Sequence, residues 1–142
     1  MIKIIEGNIV DAQTDYIIHQ VNCQGEMNTG VAKALRDYDE NIYIHYRNVC
    51  KLREFNPELL LGTYDEYFIR RKNQVILSLF AQDKYGYDGK QYTDLKAFRE
   101  GLNFIRQQIP VYWFDADNRP HKTTIALPYK IGCGRGGADW EV

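Results

Sequence analysis

Two short apolar runs open the chain. IKIIE over residues 2–6 ends at Gly7, and YIIHQV over residues 16–21 ends in the polar stretch NCQGEMNTG. Both are rich in isoleucine and bounded by turn-forming residues, which predicts two buried strands. After Gly30 the rhythm changes. Val31, Ala34, Leu35 and Tyr38 recur at the spacing of one helix face, and Ile42, Tyr46 and Val49 continue it in a second helical stretch. Gly30 then stands at or near a helix start. Between Leu59 and Phe80 the runs LLLGTYDEYFIRR and QVILSLF flank Lys72-Asn73, a tight turn in which asparagine tolerates the left-handed conformation, and together they predict an antiparallel hairpin. The following AQDKYGYDGKQY has no period and reads as a long loop, of the kind that carries function in compact domains. Thr93 occupies an N-cap position with Asp94 in the first turn, and Leu95, Phe98, Leu102, Ile105 and Ile109 form one apolar stripe that stops at Pro110. TIALPY, residues 124–129, is a last buried strand that runs straight into a glycine-rich loop. Strands mixed with helices and at least one hairpin imply an α/β fold, a sheet of mixed direction covered by helices.

Composition narrows the class. With 142 residues, 44% of them hydrophobic and 26% charged, the chain reads as a single domain with one core. Eighteen basic against nineteen acidic residues leave a formal charge of -1. That balance gives no electrostatic footprint for non-specific grip on nucleic acid or an anionic membrane, so any bound anion must be caught locally. The N-terminus has no secretion-signal pattern and no run is long enough to span a membrane, which leaves the cytoplasm as the expected location. Cys23, Cys50 and Cys133 form no CxxC pair and read as reduced thiols, with no disulfide framework; no cluster has metal-ligand spacing, so neither a metal nor a cofactor is expected.

The candidate chemistry sits in the glycines. Gly132, Gly134 and Gly137 formally satisfy GxGxxG, but that fingerprint belongs to a first strand-turn-helix with an acidic residue about 20 positions later, and here it comes at the far end of the chain. A Walker A loop is excluded as well, since no Lys-Ser or Lys-Thr follows. The underlying physics remains: glycines let backbone N–H groups converge on an anion, and a helix starting just beyond adds its positive end. NCQGEMNTGVAKAL, residues 22–35, is a second loop that leaves a strand and enters a helix. Two such loops at neighbouring strand ends would hold a diphosphate.

Four stretches carry a family resemblance: IIEGNIVDAQTDYIIHQVNCQG, MNTGVAKAL, VILSLFAQ and ALPYKIGCGRGGADWEV. In that order they resemble the macrodomains, which bind ADP-ribose. The Ile-Gly-Cys-Gly followed by Asp-Trp-Glu is similar to the branch holding terminal ADP-ribose glycohydrolases and yeast-type ADP-ribose-1''-phosphate phosphatases. The resemblance implies a three-layer α/β/α domain over residues 1–142, with a mostly parallel central sheet, the family's last helix and strand being either absent or beyond these residues. It also implies roles by position. Asn8 and Ile9 would lie beside the adenine, and Asn22 would reach the distal ribose. Gly30 and Val31 would form the first phosphate loop, Gly132, Cys133, Gly134, Arg135, Gly136 and Gly137 the second, and Phe80 a wall of the distal ribose.

Whether such a site turns over is a separate question. The glycohydrolase branch uses a lysine after the central strand and an aspartate in the second glycine loop; here the matching positions hold Phe80 or Ala81 and Gly136, with Asp83 and Lys84 a few residues on. His19 resembles a histidine of the yeast-type phosphatases, and an imidazole suits general acid–base work. A histidine near the end of a buried strand is more often a satisfied structural group. The expected function is therefore an ADP-ribose-binding macrodomain that hydrolyses a distal-ribose substituent through His19 and Asn22: a 1''-phosphate, an acyl group or an ADP-ribosylated protein. The alternative is a reader module without turnover. ADP-ribose, its derivatives and ADP-ribosylated proteins are the expected partners; single-stranded RNA, stacking on some of the eleven tyrosines, is a third possibility that the balanced charge opposes.

Overall fold

The computed structural model describes residues 2–86 and 91–131. Its centre is a four-stranded sheet in the order β2-β3-β1-β6, formed by β1 (Tyr16–Asn22), β2 (Tyr64–Ile69), β3 (Gln74–Gln82) and β6 (Ile125–Ala126). β1 lies parallel to both β3 and β6, while β2 runs antiparallel to β3. The mixed sheet has its predicted hairpin, and Asn73 takes the left-handed conformation at φ 49° that its turn requires.

Side-chain alternation along β1 and β3 feeds two separate cores. Ile17, Val21, Ile76 and Phe80 face α1 (Gly30–Tyr38) and α2 (Glu40–Leu52), where they meet Leu35, Ile42, Tyr46 and Cys50. The intervening Tyr16, Ile18, Val75, Leu77 and Leu79 face α4 (Leu95–Gln108) through Phe98, Leu102 and Ile105. Helices thus cover both faces of the sheet, giving three layers. Each aliphatic side chain taken fully out of water here contributes about 1.5–3 kcal/mol, which is why β3, buried along its entire length, is mostly apolar, with Ser78 the polar residue between Gln74 and Gln82.

α2 shows how the pattern makes an element. Asp39 caps it by accepting from the amide of Asn41, Glu40 stands in the first turn and Lys51 in the last, and Ile42, Tyr46 and Cys50 stack one turn apart on the buried face. A short α3 (Pro57–Leu60) follows, with Asn56 as its cap.

Four elements differ from the sequence reading. The buried strand expected over residues 124–129 is reduced to β6, two residues with Ile125 45% exposed. Residues 2–6 form no strand: Ile2, Ile4 and Ile5 are 95%, 77% and 79% exposed, and no strand of the described sheet pairs with them. An apolar run becomes a strand only when its backbone finds a ladder partner, and here it finds none among the described residues. The cap of α4 is Asp94, which accepts from the amide of Ala97, and not Thr93. Thr93 is instead drawn inward, forming an isolated bridge with Gln82. Finally, β4 (Tyr112–Phe114) and β5 (Pro120–Lys122) make an unforeseen hairpin. Trp113 lays its ring edge-on to Tyr16 at 5.3 Å, and His121 stands 2.8 Å from Asp15, so the hairpin is anchored at the start of β1.

Candidate functional site

The connections on either side of β1 leave by opposite faces. β1 runs through α1 and α2 toward β2 and β3, and β3 returns through α4 to β6. Open α/β sheets hold their ligands at such a point, beyond the carboxyl ends of the strands. A cavity of about 320 Å³ lies there. The last residues of β1 (His19 to Asn22) and of β3 (Gln82) form its floor, the start of α1 (Thr29 to Ala32) one wall, and residues 128–131 another. Those last residues precede the glycine run in the chain, so the segment that follows β6 borders the same space as Gly30 and Val31.

The α1 wall is an open helix N-terminus. Thr29 occupies the cap position, but its side chain makes no capping bond. Gly30, the first helical residue, has φ +61°, a conformation that costs a residue with a Cβ and suits glycine. First-turn amides that lack intrahelical partners are natural donors to an anion, and the helix dipole adds to the pull. Lys130, with its amine 5.7 Å from the Tyr129 ring centroid, is the lining's one lysine among the described residues.

A bulge shapes the end of β1. Val21 pairs with Phe80 and Asn22 with Gln82, so one residue of β3 is skipped, a device that re-aims side chains beside ligand sites. The Asn22 carboxamide turns into the loop that follows. Its Oδ1 accepts from the amides of Gln24 (3.0 Å) and Glu26 (3.3 Å) and from the Tyr46 hydroxyl (2.8 Å), while Nδ2 donates to the Glu26 carbonyl at 3.0 Å. Tyr46 also reaches the Asn22 carbonyl at 2.6 Å. Arg47 donates to the Gly25 carbonyl at 2.9 Å and stands 3.9 Å from the Glu26 carboxylate. The loop is therefore held from beneath by α2.

On the α4 side of the floor, Gln20 Nε2 donates to Gln82 Oε1 and to Thr93 Oγ1, both at 2.7 Å. Gln82 Nε2 donates in turn to the Lys84 carbonyl, which fixes the orientation of both amides and leaves Gln20 Oε1 with no partner among the described residues. On the other side His19, 1% exposed, places Nε2 2.8 Å from Ser78 Oγ, its register partner on β3, and Nδ1 has no partner among the described residues. Burial pulls its pKa down to about 4, so the imidazole is neutral at pH 7.

The predicted site residues thus divide. His19, Asn22, Gly30 and Val31 border one cavity. Phe80 is wholly buried, stacked on Tyr46 at 5.7 Å within the core, and lies outside the lining. Asn8 caps the 3₁₀ turn Ile9–Asp11 by accepting from Val10, and Ile9 packs against the core beneath α1; neither borders the cavity. Asp83 accepts from the Gln24 side chain at 2.8 Å, and neither it nor Lys84 is in the lining. Gly132, Cys133, Gly134, Arg135, Gly136 and Gly137 lie outside the described residues. Burial pushes the Cys23 thiol up to about 12 and Cys50 to about 11, as suits inert packing groups. Sequence reasoning passed over Gln20, Gln82, Glu26, Tyr85 and Lys130. The two glutamines gave a signal, as amides at the ends of otherwise apolar strands; Glu26 was hidden in a stretch that read only as polar.

No family model matches the chain. It is 20% identical over 153 residues to a DNA ADP-ribosyl transferase–DNA ADP-ribosyl glycohydrolase fusion protein of Thermosipho africanus, with 99% of this chain and 36% of that protein covered. The chain therefore spans about a third of the length of this curated relative. Among solved structures, the macrodomain of Mycobacterium tuberculosis DarG superposes with a TM-score of 0.74 at 22% identity, covering 99% of this chain and 83% of that one. Thermosipho africanus DarTG in complex with ADP-ribose gives 0.73 at 19%, covering 96% and 35%. The macrodomain of Thermus aquaticus DarG gives 0.71 at 22%, covering 96% and 81%. The likeness is one of fold: the chain has the macrodomain fold.

Proposed function

We propose that this macrodomain binds ADP-ribose or a derivative in the cavity at the end of β1 and hydrolyses a substituent on the distal ribose. One observation carries the reading: an N-terminus whose cap residue Thr29 makes no side-chain capping bond, with glycine in the left-handed conformation at its first residue, borders a cavity that Lys130 also lines. That combination suits a diphosphate. The solved complex of Thermosipho africanus DarTG with ADP-ribose, on the same fold, supports the same ligand class. Substituents to be tried are a 1''-phosphate, an acyl ester, a protein side chain and, since the fusion protein from the same organism is a DNA ADP-ribosyl glycohydrolase, DNA. Asn22, with Gly30 and Val31, contributes by keeping the binding loop in shape, so that a water and the sugar meet in a fixed geometry.

A second reading, a binding module without turnover, is favoured by His19. Its ring is buried, neutral and engaged by Ser78, so the side chain best suited to proton transfer is withheld from it. Calorimetric titration with ADP-ribose tests the ligand; no heat at high micromolar concentration removes both readings. Incubation with ADP-ribose-1''-phosphate, O-acetyl-ADP-ribose, a mono-ADP-ribosylated protein and an ADP-ribosylated oligonucleotide then separates them. Turnover that vanishes in His19→Ala with binding intact supports the hydrolase, and unchanged ligands in all four incubations support the reader.

A further inference from the structure

The loop between β1 and α1 is shaped by two consecutive residues of α2, Tyr46 and Arg47, whose side chains do not line the cavity. Tyr46 is wholly buried, and its hydroxyl stands 2.6 Å from the Asn22 carbonyl and 2.8 Å from Asn22 Oδ1. Both acceptors belong to one residue, so a single hydroxyl ties the carboxamide to its own backbone and holds it in one orientation. That orientation decides the turn. Oδ1 then receives the amides of Gln24 and Glu26, and Nδ2 reaches the Glu26 carbonyl. Burial drives the pKa of the Tyr46 hydroxyl far up, so it stays a donor. Arg47 takes the other end of the turn, donating to the Gly25 carbonyl at 2.9 Å and to the Tyr43 hydroxyl at 3.3 Å, 3.9 Å from the Glu26 carboxylate. Met27, 1% exposed, next plugs the chain into the core. Asn28 donates to Glu26 and accepts from Arg36 of α1, and Thr29 and Gly30 then begin the helix.

We propose that Tyr46 and Arg47 are positioning residues for the anion site. They set where the first amides of α1 stand relative to the end of β1, and the affinity for a diphosphate depends on them although neither lines the cavity. This rests on the ADP-ribose reading above. Donors already held in place lose little freedom on binding, whereas a loop that its ligand must order weakens that ligand.

The test is calorimetric titration of the intact chain with ADP-ribose, beside urea midpoints, for the wild type, Tyr46→Phe and Arg47→Gln. The control is Ile42→Val, which trims a buried side chain one turn away on the same face of α2. Loss of one buried hydrogen bond predicts binding about fivefold weaker in Tyr46→Phe. Arg47→Gln should weaken binding as well, and the loss should persist in ~0.5 M salt, where attraction at a distance is screened. Ile42→Val should lower the urea midpoint and leave the affinity unchanged. In a nitrogen–proton correlation spectrum the Asn22 side-chain pair, identified by its loss in Asn22→Ala, should move in Tyr46→Phe and stay in place in Ile42→Val. A Tyr46→Phe protein that binds like wild type, a control that loses as much affinity, or an Asn22 pair that does not move overturns the inference and leaves the ADP-ribose reading standing. Should Tyr46→Phe not fold, Arg47→Gln decides alone: wild-type affinity overturns the inference, and a loss that persists in salt supports it. A wild type that takes up no ADP-ribose overturns the reading and the inference with it.

Discussion

Because burial holds His19 at about 4 while an exposed imidazole titrates near 6.5, the unfolded chain takes up a proton between those values that the folded chain refuses. The native state is therefore favoured above pH ~6.5 and loses stability as pH falls toward 4, at up to about 1.4 kcal/mol per pH unit. His19→Asn should flatten that part of the curve. Urea midpoints of both proteins measured from pH 7 to 4.5 check this; parallel curves would mean that His19 is not the group responsible. The sequence located His19 and Asn22 correctly at one strand end but was silent on their partners. Ser78 and Tyr46 lie 59 and 24 residues away, and only the strand register and the placement of α2 bring them to the imidazole and the carboxamide. Asn22 carries the clearer lesson. An asparagine after a strand reads as a ligand contact or a turn residue, and the hydrogen bonds to Gln24, Glu26 and Tyr46 show how much of it serves the turn.

At the scale of elements, the join between α4 and β3 is set by one missing side chain. A Cβ on Gly101 would come within 2.1 Å of Leu79 Cδ1, and Leu79 is wholly buried, so its side chain must shift within a packed core. Alanine is a better helix former than glycine by about 1 kcal/mol, but overpacking a core costs about 1–3 kcal/mol. Gly101→Ala is thus expected to lower stability in chemical denaturation; a more stable variant would mean that α4 lifts off the sheet without cost. Elements whose pattern is complete within themselves were legible: α1, α2, α4 and the β2–β3 hairpin with Asn73 at its turn. Those that depend on a neighbour were not. Residues 2–6 have strand composition and no ladder partner among the described residues, whereas β4 and β5, three residues each and largely exposed, have little pattern to read and exist because Trp113 and His121 dock on Tyr16 and Asp15.

For the molecule as a whole, the cavity is gathered from three distant parts of the chain, residues 19–32, 82–86 and 128–131. β1 brings them together, since it pairs with β3 on one side and β6 on the other. Cut after Pro110, the chain would yield one piece that carries the floor and the α1 wall and another that carries Lys130, each with half of the proposed diphosphate site. A nucleotide could then act as glue. Separately produced pieces 1–110 and 111–142 should each ignore ADP-ribose when titrated alone and take it up once mixed, with the ligand drawing them into a single species in the ultracentrifuge. Uptake by piece 1–110 alone at full strength would show that the far wall is dispensable.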